Sequence, residues 1–267
     1  QNKNTSKDKD DMKLYTNGCS MTQGCRPFTQ DSIQQSHGGY SYWSEKRDFV
    51  WPWVLEEHFD IIFNHAKMAT GLDRTLRSTL DFVEHLDPCE YNEWIFVIQV
   101  SDQNRVEYLC PTQTEEIYGQ VLVHGGPDLM FIERDIASPA PPDISCDQTI
   151  VRDFHLLWQT DRSFEINQAK NIMILQSLLK SKGIRYLVTA MNNTNLFASK
   201  IVEPELKLLN NLEAQLDSDH IIISMEEMLA EYPKAQVTLD DGHPNTFGNT
   251  VIADYIYSEM EKRNWLS

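Results

Sequence analysis

The sequence predicts an α/β domain in which a five-stranded, mostly parallel sheet lies between two layers of helices. Short apolar segments alternate with longer segments of helical period along most of the 267 residues. The clearest strand covers residues 94–100 (WIFVIQV), an almost continuously apolar run of the kind that a parallel sheet covered on both faces requires. Near the other end, Phe247, the pairs Val251-Ile252 and Tyr255-Ile256, and Met260 recur at helical spacing and predict a long closing helix with one buried face.

The remaining elements are predicted from the period of two residues typical of strands, from the period of 3.6 residues typical of helices, and from the positions of glycine and proline. Strands are predicted at residues 14–16, 60–63, 94–100, 185–190 and 221–224. Helices are predicted at residues 50–58, 71–86, 151–182 (one helix or a broken pair), 203–216 and 245–264. This alternation of strands and helices is typical of a three-layer α/β/α arrangement, in which ligands bind outside the carboxyl ends of the strands.

We expect one folded domain over residues 12–267. Residues 1–11 are polar and charged, and this composition predicts a disordered arm or an extension upstream of the domain. Residues 108–147 contain clusters of glycine and proline, which predict an insertion with some helix that covers one side of the site.

Composition limits the function classes. The net charge is −17, which argues against nucleic acid and against anionic membrane surfaces as partners. No apolar run is long enough to span a bilayer and no secretory signal is visible, so a cytoplasmic protein is expected. Five scattered cysteines and the spacing of the histidines show no metal-ligand pattern, and we therefore expect reduced thiols, no metal and no cofactor.

Two short motifs carry the chemistry. Residues 17–24 (NGCSMTQG) place Ser20 just after the first predicted strand, with Gly18 and Gly24 on either side. Residues 240–245 (DDGHPN) place His243 three residues after Asp240 and two after Asp241, directly before the closing helix. Because both motifs follow strands of the same sheet, we expect them to share one edge of it.

A serine, a histidine and a carboxylate at one site are the parts of a serine hydrolase. The serine hydroxyl needs a neighbouring base, histidine is the usual one, and the carboxylate fixes its orientation. The N–H of Ser20, at the start of a helix, can donate to a developing oxyanion. Either Asp240 or Asp241 can supply the acid.

These motifs resemble those of the SGNH, or GDSL-type, hydrolases. Residues 18–24 match G-D-S-x-x-x-G with Cys19 in place of the aspartate, and residues 240–245 match D-x-x-H-P-N. The resemblance implies a flavodoxin-like sheet and a triad of Ser20, His243 and Asp240, the last favoured over Asp241 by the family spacing. It also implies that Gly71, which stands where the family has its second glycine donor, offers an N–H to the oxyanion.

The third block of this family departs from the pattern. The strand at 94–100 runs into SDQNRVE rather than G-x-N-D, whose asparagine is a further oxyanion donor in the family. Ser101 or Asn104 is the expected replacement. Arg105 either faces the substrate or forms a structural ion pair with Glu107.

The sequence therefore predicts a serine esterase that acts on a small polar acyl ester, with an acetylated carbohydrate as one candidate. Trp43, Trp51 and Trp53 either stack on a sugar ring or pack in the core. Two alternatives stay open, a non-catalytic protein on a degenerate hydrolase fold and an acyltransferase with the same triad.

Overall fold

The computed structural model describes the chain in nine segments. They are residues 12–24, 50–66, 71–101, 106–110, 121–126, 129–133, 161–192, 211–236 and 243–266. The predicted arm at 1–11 and the region 134–160, which contains the start of the predicted helix at 151–182, lie outside them.

A parallel sheet forms the centre of the described fold. Its strands are β1 (Lys13–Asn17), β2 (Ile61–Asn64), β3 (Trp94–Val100) and, after a separate sheet, β7 (Arg185–Ala190). Their order across the sheet is β2-β1-β3-β7, and every pairing is parallel. The α/β class and the parallel sheet predicted from the sequence are confirmed.

Helices cover both faces of this sheet. They are α1 (Ser20–Gln23), α2 (Trp51–Val54), α3 (Leu72–His85), α4 (Asp161–Ser181), α5 (Met225–Leu229) and α6 (Thr246–Lys262). The chain enters α2 through Pro52, whose missing N–H costs nothing in a first helical turn.

Alternation along the strands sends successive side chains into two cores. Leu14 and Val97 pack with Ile252 and Ile256 of α6 on one face. Tyr15, Phe96 and Ile98 pack with side chains of α3 and α4 on the other. Trp51 is fully buried in the first core, so packing rather than sugar stacking is the correct interpretation of this tryptophan.

The prediction of a fifth strand at 221–224 is wrong. In the structure this segment forms only a single parallel bridge to the sheet, between Ile221 and Val188. Beyond this bridge, the Ile223 carbonyl accepts a hydrogen bond from the Thr189 hydroxyl at 2.7 Å. The next residue, Ser224, then caps α5 by accepting from the Glu227 N–H at 3.1 Å. Side-chain hydrogen bonds thus turn the chain into a helix where the apolar run alone predicted a strand.

The described part of the predicted insertion contains strands, which the sequence had not predicted; the rest of residues 108–147 lies outside the described segments. Strands β4 (Val106–Cys110), β5 (Val121–Gly126) and β6 (Leu129–Glu133) form a separate antiparallel sheet in the order β4-β5-β6. Gly126 pairs with Leu129, so β5 and β6 are joined by a two-residue connection. The two apolar runs on either side of the glycines at 125–126 are the sequence signal that could have predicted this pair of strands.

Asp217 connects three elements beneath the second core. It accepts from Lys180 of α4 at 3.1 Å and from the Tyr186 hydroxyl of β7 at 3.3 Å, and it lies 3.2 Å from His220. Burial raises the pKa of Asp217, but the hydrogen bonds from His220 and Lys180 outweigh it and hold this pKa below its ordinary value. A lowered pKa in the folded state means that ionised Asp217 stabilises the fold near neutral pH, and that this stabilisation is lost as the pH falls through the folded-state pKa.

We expect Asp217→Asn to lower the free energy of unfolding at pH 7 by about 1–3 kcal/mol, because its partners lose a charged acceptor. The difference from the unsubstituted protein should begin to shrink below about pH 4, where Asp217 becomes protonated in the unfolded chain, and it should be lost below the lower pKa of the folded state. Urea titrations at pH 7 and at about pH 2.5 measure both values. Asp219→Asn, at an exposed position two residues on, is the control and should change stability by less than about 0.5 kcal/mol. An equal loss at both pH values would contradict this role for Asp217.

Candidate active site

Ser20 lies at the carboxyl edge of the parallel sheet. Strand β1 ends at Asn17, the chain turns through Gly18 and Cys19, and Ser20 is the first residue of the short helix α1. Its side chain is buried among neighbours, with 8% of the residue exposed. In the first turn of a helix the N–H groups have no intrahelical partner, so the Ser20 amide is placed as a donor at this edge.

Both glycines of the motif are required by close packing. At Gly18, with φ of 151°, a Cβ atom would lie 2.6 Å from the Cβ of Gln99 on β3. At Gly24, with φ of 81°, it would lie 2.2 Å from Cγ2 of Val50. Gly24 ends α1 in the left-handed conformation. The glycine spacing read from the sequence therefore reflects the tightness of the turn that carries Ser20.

His243 contacts Ser20 directly, as the two motifs predicted. Its Nε2 lies 2.7 Å from the Ser20 Oγ, although the two residues are 223 positions apart in the chain. The next residue, Pro244, pairs with Gln236 in an antiparallel bridge, and Asn245 caps α6 by accepting from the Gly248 N–H at 3.0 Å. The imidazole is thus mounted between a bridge and a capped helix, both of which restrict its backbone.

Gln99 holds the Ser20 turn from β3, and sequence reasoning missed it. Its Oε1 accepts from the Cys19 N–H at 3.1 Å and from the Thr22 hydroxyl at 2.8 Å, and its Nε2 lies 3.2 Å from the Cys19 Sγ. Gln99 is fully buried. A single glutamine inside an otherwise apolar strand, one residue before its end, was the signal that could have identified it.

Asn17 holds the turn from β1. Its Oδ1 accepts from the Gly18 N–H at 2.8 Å, while its Nδ2 lies 2.8 Å from both the Tyr15 hydroxyl and the Ser78 Oγ. The Tyr15 hydroxyl also lies 3.2 Å from the Thr79 Oγ1. Burial raises the pKa of Tyr15 to about 12, so this network stays uncharged near neutral pH.

Asn64, the last residue of β2, contacts the same helix from the third strand. Its Nδ2 donates to the Thr22 carbonyl of α1 at 2.9 Å, and its Oδ1 accepts from the Ala66 N–H at 3.1 Å. Three neighbouring strands thus each place a carboxamide on the segment that carries Ser20. We call Asn64, Asn17 and Gln99 the strand-end amides.

The structure describes two of the predicted oxyanion donors besides Ser20. Gly71 is buried and forms the N-cap of α3, so its N–H lies outside the helical hydrogen bonds. Ser101 follows β3 and is 1% exposed, and its Oγ has no hydrogen-bond partner among the described residues. A buried hydroxyl without a hydrogen-bond partner lowers the stability of the folded state, unless another group, such as a ligand, bonds to it.

The other predicted site residues lie outside the described segments. They are Asn104, Arg105, Asp240 and Asp241.

Cys19, which replaces the aspartate of the motif, is a free and fully buried thiol. It lies 3.8 Å from the Met191 Sδ and 3.9 Å from the Ser20 Oγ. A neutral thiol at this position suits the neutral Gln99 amide that faces it, since a buried carboxylate there would need a charged or hydrogen-bonding partner.

Elsewhere in the described segments, no group of three or more histidine, cysteine, aspartate or glutamate side chains is placed to bind a metal ion. None of the helices searched there is long and apolar enough to cross a bilayer.

A serine hydroxyl at 2.7 Å from an imidazole nitrogen can donate its proton to that nitrogen when the nitrogen is unprotonated. The hydroxyl lies at the end of β1, beside the backbone amides of a helix start. This arrangement can generate a nucleophile and stabilise negative charge next to it.

Comparison with known proteins gives structural neighbours only. No protein-family model matches the chain, and no curated protein sequence matches it. Similar solved structures include a psychrotrophic esterase from Pseudoalteromonas sp. (12% identity, 94% of this chain and 97% of that chain covered, TM-score 0.44). Others are a lipolytic G-D-S-L family protein from Veillonella parvula (11%, 94% and 97%, 0.40) and an acetyl xylan esterase from Geobacillus stearothermophilus (13%, 93% and 94%, 0.41).

Several of these neighbours are thus named as esterases or as members of the family that the sequence motifs resemble. Similarity at this level does not transfer an activity to the chain.

The contact between Gly18 and Gln99 can be tested by a matched pair of substitutions. Gly183→Ala should cost about 1–2 kcal/mol, because the φ of 69° there is strained for alanine although nothing lies within 4 Å of the added Cβ. Gly18→Ala should cost about 1–3 kcal/mol more, because its Cβ also overlaps Gln99. Urea unfolding followed by tryptophan fluorescence measures both. Equal losses for the two variants would show that the turn is not packed tightly on β3.

Proposed function

We propose that the chain is a serine esterase of the SGNH type, which hydrolyses a small acyl ester through an acyl-serine intermediate. The observation that carries this proposal is the 2.7 Å contact between the Ser20 Oγ and the His243 Nε2 at the carboxyl edge of the sheet. The 2.7 Å distance is within the range in which a general base can take a proton from a hydroxyl, which supports the proposed roles of Ser20 and His243.

In the proposed reaction, His243 takes the Ser20 proton as the Oγ attacks the ester carbonyl. The tetrahedral intermediate collapses when His243 returns that proton to the leaving alcohol, and Ser20 keeps the acyl group. A water molecule, deprotonated by His243, then attacks the acyl carbon. The bond between the Ser20 Oγ and the acyl carbon breaks, His243 returns the proton to the Oγ, and the carboxylic acid leaves. Asp240 is the proposed partner of the second imidazole nitrogen, and Asp241 is the alternative.

The oxyanion is proposed to accept hydrogen bonds from the N–H groups of Ser20 and Gly71 and from the Ser101 hydroxyl. Ser101 is favoured over Asn104 because its Oγ is buried and has no other partner in the described part of the chain. A donor already desolvated and unbonded in the free enzyme gives up no competing hydrogen bond when the oxyanion forms. Arg105 remains a proposed substrate contact.

A neutral, polar ester such as an acetylated carbohydrate is the proposed substrate class. The net charge of −17 disfavours anionic substrates, because their approach would be opposed by the field of the whole protein. Transfer of the acyl group to another hydroxyl instead of water would use the same residues, and product analysis with and without an acceptor alcohol distinguishes the two.

We expect Ser20→Ala to abolish hydrolysis of p-nitrophenyl acetate and labelling by a fluorophosphonate probe, because the nucleophile is lost. His243→Asn should leave Ser20 in place and lower both rates by at least about 10³-fold, because the base is lost. Circular dichroism should show an unchanged fold in both variants. Labelling of the unsubstituted protein at residues other than Ser20, or no labelling at all, would refute the proposal and favour a non-catalytic protein.

Ser101→Ala separates a catalytic hydroxyl from a structural one. We expect kcat for p-nitrophenyl acetate to fall by about 10²–10³-fold, because one oxyanion donor is lost. Stability should not fall, because the substitution removes a buried hydroxyl that has no partner among the described residues. Steady-state kinetics and urea unfolding measure the two effects. An unchanged kcat would transfer the third-donor role to Asn104 or leave it unfilled.

A further inference from the structure

Two exposed aromatic rings lie beside the backbone that carries His243. Tyr232 is 42% exposed and Phe247 is 49% exposed. Their ring centroids are 5.8 Å apart and the ring planes cross at 78°, an edge-to-face pair. Aromatic side chains contribute most to stability when they are buried, so a contacting pair that remains half in water is a feature that stability alone does not explain.

The pair is held on a rigid support. Phe247 is the second residue of α6, and Tyr232 begins the turn that packs against the start of that helix. A Cβ atom on Gly248 would lie 2.1 Å from the Ala235 carbonyl oxygen and 3.0 Å from the Pro244 Cβ, so helix and turn are in direct contact.

Hydrogen bonds fix the same junction. The Asn245 N–H donates to the Ala235 carbonyl at 2.8 Å, and the Asn245 Nδ2 donates to the Lys234 carbonyl at 2.6 Å. The Ala235 N–H donates in turn to the Tyr232 carbonyl at 2.8 Å. The two rings therefore project from a support that is ordered before any ligand binds, which lowers the entropic cost of binding.

The same support carries His243. Phe247 follows His243 by four residues, and four residues span at most about 14 Å of chain. Pro244, between them, forms the bridge to Gln236 at the other end of the Tyr232 turn. The Phe247 backbone therefore lies within about 14 Å of the His243 backbone, a distance that a ligand of a few sugar rings can span.

We propose that Tyr232 and Phe247 form a platform for a neutral sugar ring on the leaving-group side of the ester. This inference rests on the proposed esterase function and deepens it. The C–H groups on the flat side of a pyranose ring pack against the electron-rich face of an aromatic ring, and the Tyr232 hydroxyl adds a hydrogen-bond partner. An acyl tail is the poorer fit, because it would gain most from an enclosed apolar channel, whereas these rings are half exposed.

The test compares two esters that differ in the presence of sugar rings. For Tyr232→Ala, Phe247→Ala and the double variant, kcat/KM is measured with acetylated xylotetraose and with p-nitrophenyl acetate. We expect the ratio of the first value to the second to fall at least five-fold in each single variant and further in the double variant. The ratio cancels any loss of folded or active enzyme.

Ile61→Ala is the matched control. Ile61 is 43% exposed at the opposite end of β2 from the site, and its substitution should leave the ratio unchanged. Phe247→Trp should retain the ratio, because an aromatic face is kept. An unchanged ratio in the double variant, or a fall of the same size in Ile61→Ala, would overturn the platform.

Failure of the platform and failure of the esterase proposal are distinguishable. An enzyme that turns over p-nitrophenyl acetate through Ser20 but does not discriminate between the variants is an esterase without this platform. If Ser20 is unreactive with every ester, the esterase proposal fails. In that case the platform is tested by calorimetric titration of the protein with xylotetraose. The platform is refuted if Phe247→Ala does not weaken this binding.

Discussion

Three uncharged carboxamides hold the segment on which the candidate site depends. The strand-end amides Asn64, Asn17 and Gln99 come from three adjacent strands and bond to the backbone or side chains of residues 18–22. A four-residue helix has almost no stability of its own, because helix nucleation is unfavourable. The sheet therefore fixes the position of Ser20, and the local helix contributes little. Since carboxamides do not titrate, this support is the same at any pH at which the sheet is intact.

Sequence reasoning predicted the elements of this fold whose structure is decided mainly by burial of apolar surface. The strand at 94–100 and the helix at 71–86 have clear periods, and burial of apolar surface decides their structure. The closing helix was also predicted, and Ile252, Ile256 and Met260 are buried, but Phe247 of the predicted buried face is 49% exposed because it lies in the first turn, at the edge of the packed face. At 221–224, where a strand was predicted, local hydrogen bonds compete with strand pairing. The Thr189 hydroxyl donates to the Ile223 carbonyl and Ser224 caps α5, so only one bridge to the sheet forms.

The candidate site likewise contains residues that the sequence predicted and residues that it did not. Ser20 and His243 were identified because a reaction demands particular residue types at particular spacings. Gln99 was missed because a glutamine inside an apolar strand indicates a buried hydrogen bond but not its partner, which here is a turn 80 positions earlier. Cys19 was noticed only as a departure from a family pattern. The structure gives it a partner, since a buried thiol opposite a buried amide makes a neutral pair where a carboxylate would have required a different neighbour.

The separation of Ser20 and His243 along the chain has a consequence for how the protein acquires its site. A contact that spans 223 residues closes only after the strands between them are in register and α6 has docked on the sheet. Contacts of such long sequence separation form late, because the entropy of closing the loop must be offset by interactions already made. During synthesis, Ser20 emerges long before His243. The sequence separation therefore predicts that the contact between Ser20 and His243 forms after the strands that lie between them in the chain have paired.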